Sequence, residues 1–224
     1  MMNVPGIGVK KARLFFDKGI KNIAELKKAV LEHKLIGLPG FKEKSEQKIL
    51  EGIKIYSRQR GRIPLKKAEK IAGRIIVELR KLKEVSKVIA AGSIRRKKLT
   101  IGDIDLVVET NSPEKVIGSF IKMDFVKEVL GKGKEKATII TKDNMQIDIR
   151  VFSPEEFGAG LLYFTGDKQH NIWLRKIAIK KGLKLNEYGL FKGKKRIAGK
   201  TEEEIYKKLG VKRIKPEKRI GKSD

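Results

Sequence analysis

Apolar residues in the first sixty positions recur three and four apart, the spacing of one helix face. Val9, Ala12, Leu14 and Phe15 follow the turn Val4-Pro5-Gly6-Ile7-Gly8, and Gly19 ends the run. Asn22, with Glu25 three residues on, predicts the start of a second helix that carries Ile23, Leu26, Ala29 and Val30 on one face. A second Pro-Gly turn, Leu38-Pro39-Gly40-Phe41, precedes a third helix from Ser45 to about Arg58. The pattern changes after Arg62-Ile63-Pro64. A long amphipathic helix over 66–83 (Ala68, Ile71, Ala72, Ile75, Ile76, Leu79, Leu82) gives way to strand patterns at 87–91, 104–109, 125–130, 137–141 and 145–152. Residues 113–123 form a helix among them, and Asp143-Asn144 a hairpin turn. Helices return over 154–165 and 168–181, followed by a strand pair at 183–187 and 189–197 with its turn at Lys192-Gly193-Lys194. Thr201 caps a last helix with Glu204 in the capping-box position, and residues 212–224 read as a frayed basic tail.

This order of elements is α/β in the α+β sense. It divides into a helical segment over 1–60, a mixed-sheet unit over 61–153 and a smaller α+β segment over 154–224. Lys and Arg number 54 against 27 Asp and Glu in 224 residues, a net charge of +27 that repels itself without a polyanion nearby. A charged surface of the thermophile kind gives a similar sum, but two basic residues for every acidic one favour a nucleic-acid partner. The absence of cysteine excludes disulfides, thiolate zinc sites and thiol nucleophiles, and the two histidines, His33 and His170, give little support to histidine metal sites. No signal-peptide run opens the chain, and nowhere do about 20 apolar residues follow one another. A soluble, cytoplasmic protein without membrane contact is expected.

The chemistry concentrates in Ala91-Gly92-Ser93-Ile94-Arg95-Arg96 and, ten residues after Ser93, Asp103-Ile104-Asp105. At strand spacing Asp103 and Asp105 share one face and Ile104 and Leu106 the other. Two adjacent carboxylates are unfavourable without a cation, and an all-oxygen donor set suits magnesium. In the strand from Met145 to Val151, Gln146, Asp148 and Arg150 alternate with Ile147 and Ile149, so Asp148 joins the pair if the two strands are neighbours. A polar stripe alone also describes a solvated sheet face; the preceding Gly-Ser and Asp-x-Asp argue for a site. Gly92 lets backbone come close, Ser93 offers a hydroxyl and an amide, and Arg96 a forked cation for phosphate oxygens.

These residues resemble the nucleotidyltransferase signature, and the chain from about Val4 to about Pro216 resembles the family X DNA polymerases, the DNA polymerase beta family. The matches, in order, are Val4-Pro5-Gly6-Ile7-Gly8, Arg62-Ile63-Pro64, Gly92-Ser93-Ile94-Arg95-Arg96, Gly102-Asp103-Ile104-Asp105, Ile147-Asp148-Ile149-Arg150, Tyr163-Phe164-Thr165-Gly166 and Leu185-Asn186-Glu187-Tyr188. The resemblance implies a nucleotidyltransferase-type mixed-sheet palm, a helix-hairpin-helix subdomain that binds DNA, and a subdomain for the nascent base pair. It implies DNA-directed DNA synthesis from dNTPs on primed or gapped DNA by a monomer, in repair gap filling.

By the same resemblance Asp103, Asp105 and Asp148 hold two magnesium ions, with manganese able to substitute. Arg62, Gly92, Ser93, Arg96, Gly102 and Gly166 grip the triphosphate. Tyr163 and Phe164 lie against the sugar, Lys168 near the incoming base, and Asn171 and Arg175 toward the minor groove. Gly6, Ile7, Gly8, Val9, Lys10 and Lys11 contact a DNA phosphate, with a monovalent cation on the hairpin carbonyls. Arg150 pairs with Asp105 in one state and with Glu187 or Tyr188 in another. The second Pro-Gly turn reads as helix packing, because Lys42 stands where the motif has glycine. Three residues before Val4 and an end near Asp224 leave the family's amino-terminal lyase and carboxy-terminal phosphoesterase domains outside expectation. Two rivals are template-independent or RNA-acting transfer on the same fold, and a non-catalytic DNA-end-binding module.

Overall fold

The computed structural model describes residues 1–219 except 3 and 5, and only the backbone of 54–60. Two compact units result, Met1–Arg62 and Ile63–Asp224. The first packs helices α1 (Val9–Asp17), α2 (Ile23–Leu31) and α3 (Glu43–Arg60) around Val4, Ile7, Phe15, Leu26, Val30, Leu35, Phe41, Ile49 and Ile53. Two of its turns are closed by the same kind of hydrogen bond. Ile7 N donates to Val4 O at 3.0 Å and Phe41 N to Leu38 O at 2.9 Å, with Gly6 and Gly40 at φ +85° and +82°. Those left-handed positions favour glycine. Asn22 caps α2 as expected, its side chain accepting from Glu25 N at 2.9 Å; the Glu25 carboxylate reaches back to Lys21 N at 2.7 Å.

The second unit starts with β1 (Ile63–Pro64) and α4 (Leu65–Arg80). A five-stranded sheet follows, in the order β2 (Lys87–Ala90), β4 (Ile104–Glu109), β7 (Gln146–Phe152), β6 (Lys136–Thr141), β5 (Val126–Lys132). Only the β4–β7 pair is parallel. Ile104, Leu106, Val108, Ile147, Ile149 and Val151 point to one face, where α4 and α6 (Pro113–Phe120) bury them. On the other face Val107 and Phe152 pack with Phe157 and Leu161 of α7 (Phe157–Thr165). Two short elements carry no readable period and escape the sequence pattern: α5 (Gly92–Arg95) and β3 (Thr100–Ile101), which pairs with β1. The rest of the unit is α8 (Lys168–Lys180), the sheet of β8 (Lys184–Asn186), β9 (Gly189–Lys192) and β10 (Lys195–Ala198), and α9 (Glu202–Leu209).

The basic tail is a correction. Residues 216–218 make a 3₁₀ turn and Arg219 is only 1 % exposed, so the chain to 219 is docked rather than frayed. Counting charge suggested a solvated segment, whereas one buried acid, Glu202, holds it down. Residues 220–224 of that expected tail lie outside the described residues. No helix among the described residues is long and apolar enough to cross a membrane.

Candidate active site

The parallel register sets Asp105 directly opposite Asp148. Partners in a parallel ladder project to the same face, so both carboxylates stand on the α7 side of the sheet, beyond the edge of its apolar packing. Asp103 occupies the bend between β3 and β4 and is exposed. Burial first, then the charges of Asp103 and Asp148, push the Asp105 carboxyl up to about 7, against the pull of Arg96 and Arg150. Asp148 takes a hydrogen bond from Thr138 Oγ1 at 2.5 Å and another from Gln146 Nε2 at 2.7 Å.

Asp105 and Asp148 therefore share a face, with Asp103 near enough to act on Asp105, without closing a cage: among the described residues no three acidic or histidine side chains converge tightly enough to enclose a cation. Like charges repel, and Asp148 has two neutral donors beside it. The donor set still fits a hard divalent cation. All donors are carboxylate oxygens, and burial with two acidic neighbours raises the pKa of the acid at the centre more than Arg96 and Arg150 lower it, an imbalance that a cation would offset.

Beside them β2 runs into α5. Gly92 has φ +50°, and a Cβ there would lie 1.9 Å from Asp105 Oδ2, so this glycine makes the space the carboxylate fills. Ser93 Oγ and Arg96 Nε are buried and have no hydrogen-bond partner among the described residues. Buried donors without acceptors are costly, so these two are suited to an incoming acceptor oxygen. Arg96 also donates to the Thr165 carbonyl at the end of α7. Burial lowers the pKa of its guanidinium, opposed by Asp167 and Asp105.

The other expected residues fall into groups. Arg150, Tyr163, Phe164, Glu187 and Tyr188 line one cavity of about 600 Å³ with Lys136 and Phe152. The Arg150 guanidinium lies over the Phe164 ring, 5.3 Å from the centroid, and its charge pulls the Asp105 pKa down. Asn171 Nδ2 donates to Tyr163 O at 2.7 Å, and Arg175 Nε to Asn171 O at 3.3 Å. Gly166 (φ +67°) sits 3.3 Å, by its would-be Cβ, from Arg96 Nη1. Lys168 is exposed at the start of α8, and Gly102 is half-buried before Asp103.

In the first unit Gly8 caps α1, Ile7 is buried, Gly6, Val9 and Lys10 are exposed, and Lys11 Nζ donates to Gly6 O at 3.1 Å. Arg62 is exposed at the end of that unit. Pattern reading missed Thr138, Thr165 and Glu202, whose roles come from contacts across 10 to 107 residues of sequence. Thr138 had one usable signal, its place opposite Asp148 in the β6–β7 register.

Family models match most of the chain: the DNA polymerase beta palm over residues 62–181, the DNA polymerase beta thumb over 160–220, and a SAM-like helix-hairpin-helix tandem over 1–54. The last includes the second Pro-Gly turn, so that turn falls in a tandem of hairpins as well as in helix packing. Among curated proteins, the chain is 33 % identical over 222 residues to the Bacillus subtilis DNA polymerase/3'-5' exonuclease PolX, covering 97 % of this chain and 39 % of that protein. It is 32 % identical over 182 residues to the Repair DNA polymerase X of African swine fever virus, covering 77 % of this chain and 98 % of the viral protein. The rat DNA polymerase lambda is 25 % identical, with 41 % of its length covered. Among solved structures, Leishmania infantum polymerase beta in a ternary P/T complex matches with TM-score 0.67 at 23 % identity, over 96 % of this chain and 95 % of that one.

A mixed-sheet palm with paired acids beside a phosphate-ready turn defines a nucleotidyltransferase. The chain belongs to the DNA polymerase beta family, the family X DNA polymerases. Membership carries a dependence on divalent cations. The chain spans well under half the length of the bacterial and rat relatives.

Proposed function

We propose that the chain is a template-directed DNA polymerase that joins a nucleotide from a dNTP to a primer 3′-hydroxyl in primed or gapped DNA, as a monomer. The observation that carries this reading is the in-register Asp105–Asp148 pair beside α5, with its unpartnered Ser93 Oγ and Arg96 Nε. Asp103, Asp105 and Asp148 hold two magnesium ions, for which manganese can substitute. Magnesium, when bound, lowers the pKa of the attacking hydroxyl and neutralises charge on the departing pyrophosphate.

The chain's own groups do the rest. Ser93 and Arg96 donate to triphosphate oxygens, and Gly92, Gly102 and Gly166 keep side chains out of their way, with Arg62 assigned to the same group. Tyr163 and Phe164 stand against the sugar and disfavour a 2′-hydroxyl, while Lys168, Asn171 and Arg175 face the base pair. Arg150, Glu187 and Tyr188 line the cavity that closure would shrink. Residues 1–60 contact duplex phosphates through Gly6 to Lys11, with a monovalent cation on the hairpin carbonyls; 61–153 carry the chemistry and 154–224 the nascent base pair.

Release of pyrophosphate tests this. It is expected with dNTP, magnesium and primed template, and far more slowly with a single-stranded primer or with rNTP. Equal rates on a single strand would replace the reading with template-independent transfer. No release on any substrate would leave a DNA-end-binding module.

A second test needs no turnover. Folded Asp105 holds its proton up to about 7, whereas the ordinary carboxyl loses it near 3.8. Between those values the native state binds more protons than the unfolded chain, so this group's contribution to stability falls as pH rises. A cation must displace that proton when pH is below 7. Magnesium is therefore expected to raise Tm more at about pH 8 than at about pH 5.5. Equal shifts in thermal melts would remove Asp105 from the metal site.

A further inference from the structure

The outer face of the three-stranded sheet takes no part in the site described above. Leu185, Leu190 and Ala198 point inward, to the core made by α7, α8 and α9. Lys184, Phe191 and Arg196, one from each strand, are register partners and form a row on the opposite face. A cation, an aromatic ring and a second cation thus cross the sheet in line.

Two glycines lay the Arg196 stem flat on that face. A Cβ at Gly189 would meet Arg196 Cγ at 2.9 Å, and one at Gly199 would meet its Cδ at 3.3 Å. The guanidinium passes the Phe191 ring, 5.9 Å from the centroid, and donates through Nη2 to Glu156 Oε1 at 2.7 Å. Its Nε is buried and has no hydrogen-bond partner among the described residues.

Phe191 and Arg196 border a cavity of about 920 Å³, whose other cations are Lys194 of the β9–β10 turn, Lys200, and Lys207 and Lys208 of α9. These four lysines make no ion pair among the described residues. Of the two acids that line the cavity, Glu155 and Glu204, the second turns its Oε2 to Lys200 N and Gly199 N, at 3.1 and 3.4 Å. A surface charged for stability pairs its lysines with acids. The helix dipole accounts for Lys207 and Lys208 at the end of α9, but not for Lys194 and Lys200, which lie off the helix.

Unpaired cations grouped about an aromatic ring suit a nucleic-acid strand whose bases are free: phosphates meet the ammonium groups and a base stacks on the ring. A duplex keeps its base faces stacked inside and has none to offer. The face also begins where the candidate active site ends. Glu187 and Tyr188, at the β8–β9 turn, line the cavity shared with Tyr163 and Phe164. Phe191 follows three residues after Tyr188, about 10 Å along the strand.

We infer that the outer face of the β8–β9–β10 sheet, through Phe191, Arg196, Lys194, Lys200 and Lys207, binds an unpaired DNA strand, the template ahead of the primer end. Only the assignment of that strand as template rests on the polymerase reading.

Two variants test the inference. Phe191→Leu keeps an apolar side chain and removes the ring, while Lys200→Gln combined with Lys207→Gln removes two charges from exposed positions. In the parent, oligo-dT is expected to slow deuterium exchange at residues 189–198, and a blunt duplex is not. By fluorescence anisotropy, Phe191→Leu should weaken oligo-dT binding about tenfold. The double lysine variant should lower the slope of log affinity against log salt by about 1.4, the share of two phosphates in a single strand. On primed templates a long 5′ overhang should bind the parent more tightly than a short one, and Phe191→Leu should lose that gain.

Exchange at 189–198 that oligo-dT leaves unchanged, or that a blunt duplex slows equally, would overturn the inference. So would parental oligo-dT affinity in both variants, and an overhang gain kept by Phe191→Leu would remove the template from this face. If the parent releases no pyrophosphate on any substrate, the polymerase reading falls, and oligo-dT binding at 189–198 still decides whether the face is a single-strand site.

Discussion

Asp148→Ala is expected to reduce primer extension by more than about 10²-fold, since even outer-shell partners of a metal are worth 10 to 100-fold and Asp148 is assigned as a direct ligand. Affinity for primed DNA should stay within about twofold, because backbone contacts made by basic groups dominate it. The expectation comes from register: the β4–β7 ladder places this carboxylate opposite Asp105 on the same face. The substitution also frees Thr138 and Gln146, which now donate to Asp148. Both are half-buried beside solvent, so their release costs little stability. The variant is therefore expected to melt near the parent temperature and to lose the stabilisation by magnesium. Extension at near-parental rates, measured with a labelled primer under single-turnover conditions, would remove Asp148 from the reaction and with it the two-metal reading.

Gly92→Ala is expected to have an effect of similar order for a different reason. The new methyl would lie 1.9 Å from Asp105 Oδ2 and 2.9 Å from its Cγ, so the carboxylate has to retreat by more than an ångström to reach ordinary contact. Misplacement on the order of 1 Å is worth about 10²-fold in rate. Part of the loss is conformational, since φ +50° disfavours any side chain by about 1 kcal/mol. Gly193→Ala separates the two contributions: Gly193 has φ +58° in the β9–β10 turn, with nothing within 4 Å of its would-be Cβ. That control should lose stability and keep magnesium-dependent extension, whereas Gly92→Ala should lose both. Equal activity in the two variants would show that the Asp105 position is not what Gly92 protects.

The hairpin turns, helix caps and strand alternation were readable because each depends on neighbours a few residues apart. Asn22 and Thr201 cap their helices through Glu25 N and Glu204 N as the spacing predicts. Asn144, at φ +58°, takes the left-handed place its hairpin needs. Asp105 and Asp148 could be placed on strand faces from alternation alone. Their pairing could not, because nothing local dictates that β7 lies parallel to β4 rather than beyond β6. Arg150 shows the same limit from the other side. Alternation put it on the face of Asp148, and only the fold brought the Phe164 ring beneath its guanidinium.

Local chemistry in the chain is enough to nominate its reacting groups, a Gly-Ser turn, Asp103 and Asp105 at strand spacing and Asp148 on a second alternating segment, and the order of its motifs is enough for its family. Only the folded chain decided that Thr138 and Gln146 hold Asp148, that Gly92 makes room for Asp105, and that Arg219 closes on Glu202. Each of these joins residues brought together by sheet order or helix packing. Burial then turns such contacts into strong constraints, since a charge or donor removed from water must find its partner at whatever sequence distance the fold sets.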